Sequence, residues 1–185
     1  ARSGDGAYQL GRKLRELGGR VHAPLDIRDE SRDIMENLRD QVGESVNLTV
    51  REGNEVVYVE RVVPNRMMRV EQVIGSRAPL HVTAVGKLML GELGDSGVAD
   101  YARRTGLPGY TSHTLATLEK LRQAVQVAKA RGVALDNEEA EIGVGCIGVL
   151  IRDQSGGAVA GLSISAPIER RRDEWISLLK DAGAR

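Results

Sequence analysis

The stretch CIGVLIR at residues 146–152, the turn-forming DQSGG at 153–157 and VAGLSIS at 159–165 together predict a β-hairpin. Alternate residues of a strand point to the same face of a sheet. Ile147 and Val149 therefore share one bulky face with Leu162 and Ile164, which we expect to be core. The opposite face carries only small residues, namely Cys146, Gly148, Gly161, Ser163 and Ser165.

This face of small residues has two interpretations. It leaves volume beside the sheet and offers hydroxyl donors, which is what a small polar ligand needs. Alternatively, a helix packs closely against it and the hydroxyls satisfy backbone groups. The alternation of residues supports both interpretations equally.

The sequence before the hairpin supplies further strands. Residues 45–51 alternate between apolar and polar side chains, which predicts a strand with one solvent-exposed face. Gly53 and Asn54 form a turn into a second, β-branched run. The extended segments that these patterns predict are 45–51, 56–63, 67–74, 133–136, 146–152 and 159–165.

Capping residues and helical spacing predict four helices. The first begins near Pro24 and Asp26 and ends at Gly43. Thr83 and Thr117 are N-cap residues for the next two, over 84–93 and 118–131, and the last carries Trp175, Ile176, Leu179 and Ala182 on one face. Helices that flank and interrupt hairpin-linked strands indicate an α+β fold with a mostly antiparallel sheet.

Composition excludes several classes of function. The 185 residues carry 26 basic and 26 acidic side chains, no Phe and one Trp, so the chain has neither the net positive field nor the aromatic stacking surfaces of a nucleic-acid binder. No run approaches the roughly 20 apolar residues of a membrane helix, and no signal peptide opens the chain. A single cysteine favours a reducing compartment, so we expect a cytoplasmic protein without membrane contact. The sequence begins with Ala, and we expect it to be a fragment of something longer.

Two segments have the residue types of a ligand site. Residues 136–141, DNEEAE, place four carboxylates in six positions, and such a run is expected to be a solvated loop from which one carboxylate can turn inward. Residues 83–87, TAVGK, lack the spaced glycines of a phosphate loop. A capped helix start of this kind still offers free N–H groups and a positive dipole end to an anion.

Catalytic and metal sites have less support. Cys146 with His81 or His113 would give a nucleophile and a base, but a buried inert cysteine is the commoner outcome. His81, Asp136 and Cys146 are metal-ligand types without zinc-like spacing. We therefore expect no metal and no other cofactor.

Five segments carry a family resemblance. They are YQLG at 8–11, PLHVTAVGK at 79–87, RGVALDNEE at 131–139, GVGCI at 143–147 and the Gly- and Ser-rich final strand. In these segments and in their order, the chain resembles the effector-binding half of the IclR family of bacterial transcriptional regulators. The resemblance implies a GAF-like α+β fold, with a curved sheet of about six strands that encloses a small-molecule pocket and is flanked by helices.

The resemblance also implies a domain organisation and partners. Residues 1–22 resemble the end of the DNA-binding half and an interdomain linker helix, and residues 23–185 the effector-binding domain. Operator DNA would be bound by a winged helix-turn-helix that this chain lacks. Homodimers or homotetramers are the assemblies implied.

The site that the resemblance implies senses a small organic acid, of the 2-oxo or hydroxy type. Its side chains would be Asp136, Cys146, Ser163 and Ser165, with the backbone amides of Ala84 and Val85. The helix start and the serines would take the carboxylate, Asp136 would accept a proton from a hydroxyl or hydrate, and Cys146 would line the floor.

The sequence departs from the family after Cys146 and Ile147, where similar proteins have Ala-Ala-Pro and this chain has Gly148-Val149-Leu150. We expect a roomier floor and a better-paired strand. Since aromatic residues are scarce, an aromatic ligand would have to lie on aliphatic walls.

Three functions remain open at this point. The first is an effector-sensing, oligomerising module of a transcription regulator, without catalysis. The second is a thiol-dependent enzyme in which Cys146 attacks a small acid or ester. The third is a GAF-like sensor that belongs to a signalling enzyme. The first is favoured because its motifs span the chain.

Overall fold

The structure is a computed structural model that describes residues 27–185. Within these residues the helices are α1 (Ile27–Val42), α2 (Ala84–Glu92), α3 (Gly94–Thr105), α4 (Leu118–Arg131) and α5 (Trp175–Gly183). The strands are β1 (Ser45–Glu52), β2 (Glu55–Val62), β3 (Arg77–Pro79), β4 (Ala134–Asn137), β5 (Val144–Arg152) and β6 (Ala158–Pro167).

The six strands form one curled antiparallel sheet in the order β3-β2-β1-β6-β5-β4. The α+β class with a sheet of six strands is confirmed. Helices α1 and α5 cover one face and bury Met35, Trp175 and Leu179 against the bulky residues of β5 and β6. Helix α2 packs on the opposite face, and α3 and α4 pack around it to form a second core.

The predicted hairpin and the direction of its two faces are confirmed. Cys146 pairs with Ser165 and Gly148 with Ser163, so the small residues lie together on the face toward α2. Ile147 and Ile164 are fully buried on the other face. The pairing continues without interruption from Val144 to Ile151, as expected for a strand that lacks the family's proline.

One polar strand face that we expected to be solvent-exposed is buried. Ser45, Asn47 and Thr49 of β1 are all at most 1% exposed. They pair with Ser165, Ser163 and Gly161 of β6 and therefore continue the face of small residues. Because β1 lies in the centre of the sheet and both sheet faces are covered, its polar residues face the interior.

The prediction of a third extended segment over residues 67–74 is wrong. These residues form a loop, and the strand lies at Arg77–Pro79. Side chains, not a strand ladder, bond several of its carbonyls: Arg170 donates to Met68, Ser45 to Val70 and Arg61 to Gln72. Its large apolar side chains are exposed, so a strand conformation would not bury them on one face of the sheet.

The observed helices match the helices predicted from the sequence, with one exception. Helices α1, α2, α4 and α5 lie where they were predicted, and Thr83 and Thr117 accept the expected N-cap hydrogen bonds. The start expected for α1 at Pro24 and Asp26 lies outside the described residues. Helix α3 was not predicted, because Gly94 and Gly97 lower its helical propensity; it is held by burial of Val98 and Tyr101. The expected linker over residues 1–22, and the start of the effector-binding domain at residue 23, lie outside the described residues.

Helix α2 approaches the sheet closely enough to require glycine at two positions. A Cβ on Gly148 would lie 2.8 Å from Val85 Cγ1 and 2.9 Å from the Val85 nitrogen. A Cβ on Gly161 would lie 2.8 Å from Val85 Cβ. The small face therefore has two parts. A helix fills the space over the glycines, so the roomier floor expected at Gly148 is wrong, and the part with Cys146, Ser163 and Ser165 stays open.

We predict that Gly161→Ala destabilises the domain by about 1–3 kcal/mol, because the new methyl group overpacks against Val85. Urea denaturation of wild type and variant measures this difference. Gly109→Ala is the matched control, since a Cβ there meets no atom within 4 Å and the backbone is not left-handed. Equal losses at both positions would contradict the close approach of α2.

Candidate functional site

A cavity of about 160 Å³ lies between the start of α2 and the open part of the small-residue face. All six positions implied by the resemblance line it: Ala84, Val85, Asp136, Cys146, Ser163 and Ser165. The other lining residues are Tyr58, Gln72, Arg77, Ala78, Thr83, Ala140, Glu141 and Val144. Strands β3 and β4 are the two edges of the sheet, so the curl of the sheet is what lets both contribute to one cavity.

The first turn of α2 gives the cavity an anion-binding end. Thr83 caps the helix and its hydroxyl accepts a hydrogen bond from the Gly86 N–H at 3.1 Å. The N–H groups of Ala84 and Val85 have no acceptor among residues 27–185. Unpaired N–H groups at a helix start, reinforced by the helix dipole, are suited to a carboxylate.

The floor of the cavity is formed by β5 and β6. The Ser165 hydroxyl lies 3.2 Å from Cys146 Sγ and accepts a hydrogen bond from Asn47 Nδ2 at 3.0 Å. No hydrogen bond joins the Ser163 hydroxyl to any other described residue. Ser163 therefore keeps both its donor and its acceptor available to a ligand.

Asp136 is the buried acidic group of the site. It lies at the end of β4, opposite Cys146, and is 3% exposed. Desolvation by burial raises its pKa to about 6, although the hydrogen bond from the Glu139 N–H lowers it in part. The group can thus hold or release a proton near neutral pH.

A second carboxylate of the acidic run also turns inward, which the sequence did not predict. Glu139 is buried, and both its oxygens accept hydrogen bonds from Lys87 Nζ at 2.5 Å. The Thr114 hydroxyl donates to the Glu139 carbonyl at 2.8 Å. This buried pair ties the loop after β4 to the helix that carries Ala84 and Val85.

The sequence did not point to Tyr58 and Arg77 as lining residues. Burial, followed by the charges of Cys146 and Asp136, raises the pKa of the Tyr58 phenol, so it remains an O–H donor. Arg77 is paired with Glu52 and Glu55 at the cavity edge. Tyr58 pairs with Thr49 across a bulge. Only the register of β2, which cannot be read from the sequence, would have identified Tyr58 as a lining residue. Its ring also corrects the expectation of purely aliphatic walls.

The geometry does not support Cys146 as a nucleophile. Its thiol is deep in the protein although it opens onto the cavity, and desolvation, with the Asp136 charge, raises its pKa well above the usual range. Within the described part of the chain no hydrogen bond joins it to a histidine. His81 Nε2 donates to the Pro108 carbonyl and Nδ1 accepts from the Tyr101 hydroxyl, while His113 is exposed.

Residues 27–185 hold neither a metal-binding cluster nor a membrane-spanning helix. No group of three or more His, Cys, Asp or Glu side chains there is arranged to hold a metal ion. No helix there has the length and hydropathy needed to cross a membrane.

Comparison with known proteins identifies the family. The family model for the C-terminal part of the bacterial transcriptional regulator IclR matches residues 20–183. The chain belongs to the IclR family. The transcriptional regulator XynR of Escherichia coli K12 is 32% identical over 177 residues, which are 96% of this chain and 70% of XynR. The chain spans about two thirds of the length of the curated IclR-family relatives that it matches.

Solved structures of IclR-family proteins confirm the fold. The IclR of Thermotoga maritima has a TM-score of 0.80 and 32% identity, with 98% of this chain and 75% of that chain covered. An IclR homologue from Microbacterium hydrocarbonoxydans, solved with 4-hydroxybenzoate, has a TM-score of 0.85 and 27% identity, with the same coverage. The relatives are named as transcriptional regulators and repressors, so this IclR-family chain belongs to a regulator and is not an enzyme.

We predict that the burial of Asp136 makes stability depend on pH. Its pKa is about 6 in the folded protein and about 3.9 in the unfolded chain, so the folded state binds the extra proton between these values. Stability therefore falls by up to about 3 kcal/mol as pH rises from 4 to 6 and stays at the lower level above. Asp136→Asn removes this fall, which urea denaturation from pH 4 to 8 measures.

Asp153→Asn is the control for this titration, because Asp153 is exposed and its pKa is lowered by the side chain and backbone of its own turn. That variant keeps the wild-type fall. A fall between pH 4 and 6 of the same size in Asp136→Asn would show that another group is responsible.

We predict that Lys87→Met destabilises the domain by about 3–5 kcal/mol, because it leaves Glu139 charged and buried without its partner. The double variant Lys87→Met/Glu139→Leu recovers most of the loss. Arg32→Ala, which breaks the exposed Arg32–Glu36 pair, changes stability little. Thermal or urea unfolding measures all three, and an additive double variant would refute coupling between Lys87 and Glu139.

Proposed function

We propose that this chain is the effector-sensing part of an IclR-type regulator and that it binds a small carboxylic acid in the cavity between α2 and the β5–β6 floor. The observation that carries the proposal is the convergence of two free N–H groups, two serine hydroxyls and one protonatable carboxyl group on a cavity of about 160 Å³. The homologue solved with 4-hydroxybenzoate supports an organic acid as the class of ligand.

Each end of the cavity suits a different part of such a ligand. The carboxylate lies at the N–H groups of Ala84 and Val85, where the helix dipole favours negative charge. The hydroxyls of Ser163 and Ser165 donate to the same group from the floor. Asp136 receives a hydroxyl or hydrate, and its neutral form also tolerates a nearby carboxylate because the charge is then absent.

The size of the cavity limits the ligand. An apolar cavity of about 150 Å³ holds a benzene molecule, so the body of the acid is no larger than roughly one ring. Small 2-oxo and hydroxy acids fit this limit without rearrangement. A single-ring acid would pack against Tyr58.

Regulation follows from differential binding. An acid that binds one arrangement of the subunits better than another shifts the population toward that arrangement. We infer that the chain forms homodimers or homotetramers, and that the spacing of DNA-binding units outside this chain changes with ligand occupancy. A cytoplasmic location stays a prediction from the sequence.

The direct test is thermal unfolding of the 185-residue chain with a panel of 2-oxo, hydroxy and single-ring aromatic acids. A ligand at about 100 times its dissociation constant adds roughly 2.7 kcal/mol to the native state, which is about 5–10 °C for a domain of this size. Ser163→Ala removes a donor that faces the cavity and lowers affinity by about 1–3 kcal/mol.

The control is Ser155→Ala, which removes a hydroxyl in the exposed turn between β5 and β6 and leaves the shift unchanged. A shift that survives Ala substitution at Asp136, Cys146, Ser163 and Ser165 alike would place the ligand elsewhere. Formation of a product from the bound acid would contradict a purely sensing role.

A further inference from the structure

Asn47 is buried beside the cavity floor with half of its amide unpaired. It lies on β1, is 1% exposed and pairs across the sheet with Ser163. Its Nδ2 donates to Ser165 Oγ at 3.0 Å, but its Oδ1 has no hydrogen-bond partner among the described residues. A buried amide oxygen without a partner destabilises the folded state. A leucine of similar size would fill the same space without this cost, so packing does not explain an asparagine here.

The one hydrogen bond that the Asn47 side chain makes within the described residues also sets the direction of the next hydrogen bond. Because Nδ2 can only donate, it occupies a lone pair of Ser165 Oγ and leaves the serine hydrogen for another acceptor. Within the protein the acceptor in reach is Cys146 Sγ at 3.2 Å, and a ligand carboxylate in the cavity takes the same hydrogen in its place. Asp136 lies opposite Cys146 on β4.

We propose that Asn47 is a positioning residue that holds the Ser165 hydroxyl with its hydrogen toward the cavity, so that the floor binds a carboxylate in preference to a carboxamide. The inference rests on the proposed function and adds the basis of its selectivity. A carboxylate accepts at both oxygens. It therefore satisfies Ser165 at the floor and the N–H groups of Ala84 and Val85 at the helix start.

A carboxamide in the same place would put hydrogen-bond donors opposite donors of the protein. Its NH₂ group brings two more hydrogens to a place where the protein already supplies donors, so either its own donors or those of the protein stay unpaired. An unpaired buried donor is costly, and specificity of this kind comes from that cost. Without Asn47 the Ser165 hydroxyl can rotate and accept, and the penalty disappears.

The binding test uses Asn47→Leu with two matched pairs of probes: pyruvate with pyruvamide, and 4-hydroxybenzoate with 4-hydroxybenzamide. Titration calorimetry gives the affinity of wild type and variant for each. We expect Asn47→Leu to unfold at the same or a higher temperature than wild type, to bind the acids about tenfold more weakly, and to lose the preference for acid over amide.

Thr49→Val is the matched control. Thr49 lies two residues along the same buried face of β1 and pairs with the same strand, but its hydroxyl donates to the Gly161 carbonyl and not to a group of the cavity. This variant loses stability and keeps the wild-type ratio of acid to amide affinity. A structural role for Asn47 would give the opposite result, with lower stability and an unchanged ratio.

A second measurement needs no ligand. Cys146 is the one cysteine of the chain, so its S–H stretching band in the infrared spectrum has a single source. Ser165→Ala and Asn47→Leu shift this band in the same direction, the double variant shifts it no further than Ser165→Ala, and Thr49→Val leaves it unchanged.

The outcomes separate this inference from the proposed function. If wild type binds the acids but Asn47→Leu keeps both the acid-to-amide ratio and the S–H band, Asn47 does not position Ser165. If wild type binds neither acid, both the proposed carboxylate sensing and the proposed preference for acid over amide are refuted. The infrared band then still shows whether Asn47 orients Ser165, and a band that Asn47→Leu leaves unchanged overturns that role as well.

Discussion

The contact of Val85 with Gly148 and Gly161 is the constraint on which the rest of the site depends. Val85 side-chain atoms lie within 3 Å of where a Cβ would be on either glycine, and at Gly148 the Val85 backbone nitrogen does so too. This proximity places the free N–H groups of Ala84 and Val85 directly above the strands that carry the serines. A bulkier residue at either glycine would push the helix start away from the sheet, and the N–H groups and the hydroxyls could no longer reach one small molecule.

Charge then determines what the enclosed space can hold. The Lys87–Glu139 pair is satisfied internally, so it fixes the loop after β4 without adding net charge to the cavity. Asp136 lies three residues earlier and has no cation as a hydrogen-bond partner among residues 27–185; it accepts from a backbone N–H. It therefore keeps its proton to a higher pH than an ordinary aspartate, with a pKa of about 6, whereas most other polar groups around the cavity are donors. This balance favours an anion with one further group that can face a carboxyl.

Much of the fold was predictable because local rules govern it. Alternation in β5 and β6 sorts the residues into a bulky and a small face whatever covers the sheet, and Thr83 and Thr117 cap helices through contacts within four residues. The errors occurred where burial overrides local pattern. The polar residues of β1 are buried because the strand is central, residues 67–74 form a loop because side chains bond several of its carbonyls, and α3 is helical because Val98 and Tyr101 enter the core.

By itself, the sequence determined the hairpin, the capped start of α2 and the set of small polar residues at Cys146, Ser163 and Ser165, since each depends on neighbours within a few positions. Tertiary structure alone decided that part of the small face is covered by Val85 and part is open. It also decided that Tyr58, Arg77 and Asp136, from strands far apart in the sheet order, line one cavity. These features depend on strand register and on the curl of the sheet, and both arise from contacts between residues remote in sequence, which no local pattern encodes.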